Sequence, residues 1–173
     1  MTKSSHPKVK KATTLPGFTT RPLSVEGITT VTSCISEREL KNIRDSIPSN
    51  MSLSTYFVNL EGFKREIIDL KQAEVVGIFG IMRREKHAII PWLLFKEDYS
   101  PPNPAQFVEF CKEFLKGLMA QEQACIVVCK DAEDPQWLPL IDKIGFKRMP
   151  ELTHKGANGN TYHLYALLPM EAA

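Results

Sequence analysis

The chain has 173 residues, 43% hydrophobic and 24% charged, the make-up of one ordinary globular domain and too little for two. No apolar run reaches the roughly 18 residues of a membrane-spanning helix, and the lysine-bearing N-terminus lacks the apolar stretch of a secretory signal, so a cytoplasmic protein without a membrane partner is expected. Net charge is only +2, but residues 1–25 hold Lys3, Lys8, Lys10, Lys11 and Arg21 with no acid, leaving 17 basic against 20 acidic residues in the remainder.

Residues 1–27 are rich in Thr, Ser, Pro and Lys and show neither a helical nor an alternating period. They read as an extended basic arm in front of a single domain at 28–173. The arm's cations, Lys3, Lys8, Lys10, Lys11 and Arg21, suit an acidic surface on another protein subunit. They could also touch nucleic acid, although five charges are few for strong phosphate binding and no aromatic stripe accompanies them. A solvated tail that aids solubility is the plain alternative.

Ile28–Cys34 (ITTVTSC) is short and β-branched and reads as a strand. Ser36 followed by Glu39 forms a capping-box pattern, opening a helix from Glu37 to about Ser46 that stops before Pro48. Leu40, Ile43 and Ile47 share its apolar face. A second short helix is expected over Ser52–Asn59, ending near Gly62.

The period then changes to strands. Phe63–Leu70 and Ala73–Met82 are separated by a two-residue polar link and should pair as a hairpin, with Ala88–Phe95 as a third antiparallel strand after a polar turn. Pro91 within the third strand cannot donate to a ladder, so it marks an edge, a bulge or a place where two strands splay.

Asn103, Pro104 and Gln106 together give an N-cap, a proline at the first helical position and a box-like partner. The helix they open runs to about Gln121, with Phe107, Phe110, Cys111, Phe114, Leu115 and Leu118 on one face. Ala124–Cys129 is a continuous apolar run and reads as a central strand, parallel to Ala88–Phe95 across the helical crossover. Asp134 and Pro135 look like the start of a helix over Gln136–Ile144, stopped by Gly145. Two last strands follow, near Phe146–Met149 and at Tyr162–Leu168, the latter a sheet edge that needs covering.

Candidate chemistry is sparse. Cys34, Cys111, Cys125 and Cys129 are scattered, which argues against a metal site and for buried free thiols. Glu74, Glu85 or Asp69 could act as a base through water, and Tyr99 as an acid if its loop folds over a site. Each also has a simpler reading, as a solvated strand acid or as a loop aromatic packed on the body. Trp92 and Trp137 read as packing anchors.

The order of elements, with IDKIGFKRM (Ile141–Met149) at the end of the last helix, resembles the GNAT N-acetyltransferase superfamily. That resemblance implies an α/β fold of the mixed α+β kind, a central mixed sheet flanked by helices, with acetyl-CoA held where a strand leads into a helix. Its cofactor residues would be Phe95, Asn103, Pro104, Ala105 and Gln106. The family's pyrophosphate loop carries glycines, whereas KEDYSPPNPAQ (Lys96–Gln106) has three prolines, two acids and none. The family's general-acid tyrosine corresponds to Ile141, which has no proton to give.

PWLLFKED (Pro91–Asp98), WLPLIDKIGF (Trp137–Phe146) and NGNTYHLYAL (Asn158–Leu167) further resemble GNAT-like internal virion or assembly proteins of short-tailed phages. That likeness implies a protein without ordinary catalysis, binding other virion, portal or core subunits. The alternative it leaves is an acetyl-CoA-dependent N-acyltransferase with a divergent pyrophosphate loop.

Overall fold

A computed structural model describes residues 17–85, 88–100, 103–133, 137–156 and 159–168 of the chain. Twelve elements follow in order: β1 (Phe18–Pro22), α1 (Val25–Thr32), α2 (Glu37–Asp45), α3 (Leu53–Asn59), β2 (Phe63–Asp69), β3 (Glu74–Glu85), β4 (Ala88–Phe95), α4 (Pro104–Glu122), β5 (Cys125–Asp131), α5 (Leu138–Ile144), β6 (Lys147–Lys155) and β7 (Thr161–Leu167). The strands form one mixed sheet in the order β1-β2-β3-β4-β5-β7-β6. Only β4 and β5 run parallel.

Helices cover both faces. On one, Ile28 and Val31 of α1 and Phe57 of α3 pack with Ile78 and Leu94. On the other, Leu115 and Met119 of α4 and Ile141 of α5 close over Ile126, Val128, Trp137 and Phe146. The expected fold class, an α/β mixed sheet between helices, is the one observed.

The N-terminal part differs from the sequence expectation. Ile28–Cys34 is not a strand: Val25–Thr32 forms α1, whose Ser24 side chain caps the amide of Gly27. β-branched residues persist there because Ile28 and Val31, three apart, share a buried face. The hydroxyls of Thr29 and Thr32 bond back to the carbonyls of Val25 and Ile28.

The first strand lies earlier, at β1, inside the stretch expected to be an arm. It pairs with β2 from Phe18↔Asp69 to Pro22↔Arg65. The folded body therefore reaches back to residue 17. Glu66, fully buried on β2, accepts from the Ser24 amide and hydroxyl and from Arg21, which ties β1 and α1 to the sheet.

Other expectations meet their elements. β2, β3 and β4 form the anticipated antiparallel set. Gly145 ends α5 in the left-handed region at φ 102. Asp134 and Pro135 lie outside the described residues, and the described helix starts after Trp137. Tyr162–Leu168 is not an edge, since β7 lies between β5 and β6; the edges are β1 and β6. β6 blunts itself, because the register jumps between Met149 and Thr153 and leaves Pro150, Glu151 and Leu152 outside the ladder.

Candidate functional site

The sheet parts at its centre. β4 and β5 pair only at Ala88↔Cys125 and Ile89↔Ile126, and no described pairing joins them beyond. β4 nevertheless continues to Phe95 and β5 to Asp131. Their facing edges open a wedge toward the C-terminal ends of both strands.

Pro91 marks the parting, as one of the sequence readings required. It stands opposite Ile81 in a ladder with β3 that runs unbroken on both sides of it. Its nitrogen therefore points away from β3, to the side where β5 would otherwise receive a hydrogen bond. Unpaired backbone groups are costly unless something satisfies them, and the parted edges of β4 and β5 have the geometry that a strand-like or amide-bearing group could pair with.

The β4 lip of the wedge leads into residues 96–103 and the start of α4. Phe95 stacks on Tyr99 at 5.6 Å and meets Phe107 of α4 edge-on at 5.5 Å. Tyr99 also meets Phe18 at 6.2 Å and donates its hydroxyl to Asp69, 3.1 Å away. Burial and the Asp69 carboxylate both raise the Tyr99 pKa, so this phenol is held as a strap for the loop. Lys96 pairs with Glu74, and the Glu97 amide donates to the Cys34 carbonyl at 2.7 Å.

Donors for an anion are few at this lip. Pro104 has no N–H, the Gln106 amide donates to the Asn103 side chain at 3.1 Å, and the Phe107 amide donates to the Asn103 carbonyl. Among the described residues, the amide of Ala105 alone is left in the first turn of α4 to face a phosphate. A helix N-terminus ordinarily offers several.

The β5 lip is stitched shut by α2. Asp131, 3% exposed, accepts from Arg38 at 2.9 Å, from Asn160 at 2.9 Å and from the Glu133 amide at 3.0 Å. Burial acts to raise its pKa, but these hydrogen bonds and the Arg38 charge hold the carboxyl below the usual aspartate value. The Trp137 indole donates to Glu39 at 2.9 Å, and the Tyr162 hydroxyl donates to Asn42 at 2.8 Å. Lys130 lies over the Trp137 ring, 4.4 Å from its centroid.

Ser36 does cap the Glu39 amide, but the Glu39 carboxylate turns to Trp137 and not back to the cap, so half of the expected capping box is diverted. Residues 34–42 thus run from the Glu97 side of the mouth to the Asp131 side. The partners on α2 and on β5, the α5 N-cap Trp137 and β7 are 93 to 120 residues apart in the chain, and no local pattern signals them.

The remaining sequence candidates fall as follows. Glu74 is half-exposed at the start of β3 and engaged by Lys96. Asp69 is buried and accepts from the Lys71 and Gln72 amides as well as from Tyr99, which more than offsets its burial and lowers its pKa. It is therefore a structural acceptor, not a base. The Glu85 side chain lies outside the described residues.

Ile141 is buried in α5, where it offers no phenol. Cys111 faces the α4 packing side, and burial pushes its thiol up to about 12. Cys34 and Cys129 are exposed and Cys111 and Cys125 half-buried, so the expectation of buried thiols does not hold. Phe95, Asn103, Pro104, Ala105 and Gln106 do come together at the β4 lip. Arg21 is drawn into the Glu66 cluster of the domain, and Lys3, Lys8, Lys10 and Lys11 lie outside the described residues. No group of His, Cys, Asp and Glu among the described residues could hold a metal, and no described helix is long and apolar enough to cross a membrane.

No protein-family model matches the chain, and no curated protein matches it in sequence. Solved structures do match in shape. A GNAT-family acetyltransferase from Bacillus anthracis superposes with a TM-score of 0.67 at 17% identity, over 91% of this chain and 98% of that one. A ribosomal-protein-alanine acetyltransferase from Vibrio fischeri gives 0.63 at 11% identity, over 95% and 100%. The spermidine N-acetyltransferase of Vibrio cholerae, solved with CoA and spermine, gives 0.63 at 12% identity, over 88% and 95%. The chain has the GNAT acetyltransferase fold.

Proposed function

We propose that the protein is an acyl-CoA-dependent N-acyltransferase with a divergent phosphate loop, working in the wedge between β4 and β5. The observation that carries this reading is the wedge itself. A scaffold with no guest would gain backbone hydrogen bonds by zipping β4 and β5 to their ends, yet pairing stops at Ile89↔Ile126 and Pro91 removes a donor just beyond. The neighbours named above share the sheet and are acetyltransferases, one of them solved with CoA.

When bound, an acyl-CoA supplies a thioester open to attack by an amine. The free edges of β4 and β5 would hold the amide groups of its pantetheine as a short extra strand. Phe95 and Phe107 wall the β4 side and keep water from it. On the other side α2, fixed by Asp131 and Trp137, frames the approach of the amine. Tyr162, opposite Asp131 in the β5–β7 ladder, is the phenol that the fold brings to this end.

Titration with acetyl-CoA, with thermal unfolding as a second readout, tests the reading. Millimolar acetyl-CoA should raise the melting temperature by several degrees, since a tenfold excess over the dissociation constant adds about 1.4 kcal/mol. Absence of both heat and shift at that concentration overturns it.

A second reading, a non-catalytic binding protein of the particle-assembly kind, is favoured by one observation: a single open amide at the α4 N-terminus. It expects no response to acetyl-CoA.

A further inference from the structure

A cavity of about 350 Å³ opens between α5 and the β6–β7 end of the sheet. It lies beyond β5, on the side away from the wedge, so the acyltransferase reading does not use it. Leu138 and Ile141 of α5, with Phe146 at the entry to β6, give it an apolar floor. Ile141 and Phe146 are buried, and the left-handed turn at Gly145 sends the chain from α5 directly into β6. The hollow is therefore framed by a short helix and the strand that follows it at once.

Strand register decides which side chains wall this hollow. Arg148 stands opposite Tyr165, and Tyr165 opposite Val128, which packs with α4 and α5; all three face the α5 side of the sheet. One row further along, His163 stands opposite Lys130 on that same face. An Arg148 nitrogen lies 3.0 Å from His163 Nε2, and because a guanidinium only donates, the ring nitrogen accepts. That bond steadies the guanidinium and leaves it further N–H groups. Lys130 extends the basic row, its ammonium 4.4 Å from the ring centroid of Trp137, the residue before Leu138.

Charge here is one-sided and unspent. Lys130, Lys147, Arg148 and Asp142 take part in none of the ion pairs among the described residues, which elsewhere tie Arg21, Arg38, Arg83 and Lys96 to carboxylates. The cavity lining holds two cations, Lys147 and Arg148, against one acid, Asp142, which leaves one net positive charge. The Tyr165 hydroxyl, on the same wall as Arg148, has no hydrogen-bond partner among the described residues.

We infer that this cavity is a second ligand site, taking a small carboxylate with an apolar body. The body lies on Leu138, Ile141 and Phe146, and the single negative charge balances the lining. Arg148 is the anchor, since a guanidinium matches a carboxylate with two parallel donors. Asp142 sets the direction by repelling the head from the α5 wall toward β6 and β7. The volume falls in the range of small-molecule sites. The assignment stands on its own observations and holds whether or not acyl-CoA occupies the wedge.

The test is an NMR titration of the full chain with 3-phenylpropanoate, read at the backbone amides of 138–148 and 163–166. The neutral 3-phenylpropan-1-ol and the bodiless acetate serve as comparison probes. A ligand of this size should bind in the millimolar range, with saturable shifts at those amides. Both comparison probes should bind at least about tenfold more weakly, as each lacks one half of the recognition. Arg148→Ala, at an exposed position that leaves the fold intact, should weaken 3-phenylpropanoate about tenfold, and Arg148→Lys should recover part of that loss. No saturable shift at these amides overturns the inference. So does equal affinity in parent and Arg148→Ala, or an alcohol that binds as tightly as the carboxylate. A response to acetyl-CoA at β4 and β5 is a separate outcome, so failure of the wedge reading and failure of this site are told apart by which amides move.

Discussion

The two lips of the wedge are built in opposite ways. At the β5 lip, a buried carboxylate, a guanidinium, two amide side chains, an indole and a phenol are joined across α2, β5, the α5 N-cap and the start of β7 with the residue before it. At the β4 lip, contact is mostly aromatic, through Phe18, Phe95, Tyr99 and Phe107, and the backbone donors are proline-depleted or already used. A polar network holds one geometry strongly because each unsatisfied member would be expensive. Aromatic packing over a loop tolerates small displacements. The contrast separates the two: one lip is held in a single geometry by polar bonds, and the other rests on aromatic packing.

Substitutions can break or sharpen that contrast. The largest effect is expected from Asp131→Ala, which strips Arg38, Asn160 and the Glu133 amide of their acceptor at once. A loss of about 2 kcal/mol in urea unfolding follows, below the full cost of breaking a buried pair because Arg38 is 41% exposed and can rehydrate. Tyr99→Phe, which removes one bond at the other lip, should cost about 1 kcal/mol. Equal losses would erase the asymmetry.

Acid provides the next test. Glu66, Asp69 and Asp131 all have carboxyls held below their ordinary values in the folded protein. Groups depressed in this way give their full stabilisation above the unfolded carboxylate range, about pH 4, and lose it as pH falls through their folded values. Unfolding free energy should therefore be flat from about pH 7 to 5 and fall below pH 4. Asp131→Asn should reduce the slope of that fall. An unchanged slope would remove Asp131 from the set.

The smallest stability change is expected at the parting of the strands. Pro91→Val returns an N–H to the edge facing β5 and should stabilise by only a few tenths of a kcal/mol, if the ladder extends. Its readout is functional, a loss of acetyl-CoA affinity in the same titration that tests the wedge. Unaltered affinity would show that the opening does not depend on the proline.

Much of the scaffold was legible in the sequence because its signals are local. The Asn103–Pro104 start of α4, the Gly145 stop of α5 and the hairpin of β2 and β3 each depend on a few adjacent residues. Pro91 announced a disturbance and left its kind open among edge, bulge and splay. α1 was misread because Ile, Thr and Val favour strands on an exposed pleat, whereas here two of them are buried against β3 and Leu94 and the threonines satisfy their hydroxyls within the helix. β1 was missed because FTTRP has no alternation of its own and is a strand only by pairing with β2.

By itself the sequence determined the strand–helix–strand crossover, the glycine-free loop and the concentration of cations ahead of residue 17. Capping, periodicity and charge are properties of neighbours along the chain. Only the tertiary structure decided that β4 and β5 part after Ile89, that Asp131 gathers α2 to the β5 lip, and that Phe18 of β1 packs against Tyr99 at the β4 lip. Those depend on contacts between residues about 40 to 120 positions apart, whose energies come from burial and hydrogen bonds that exist only once the sheet has formed.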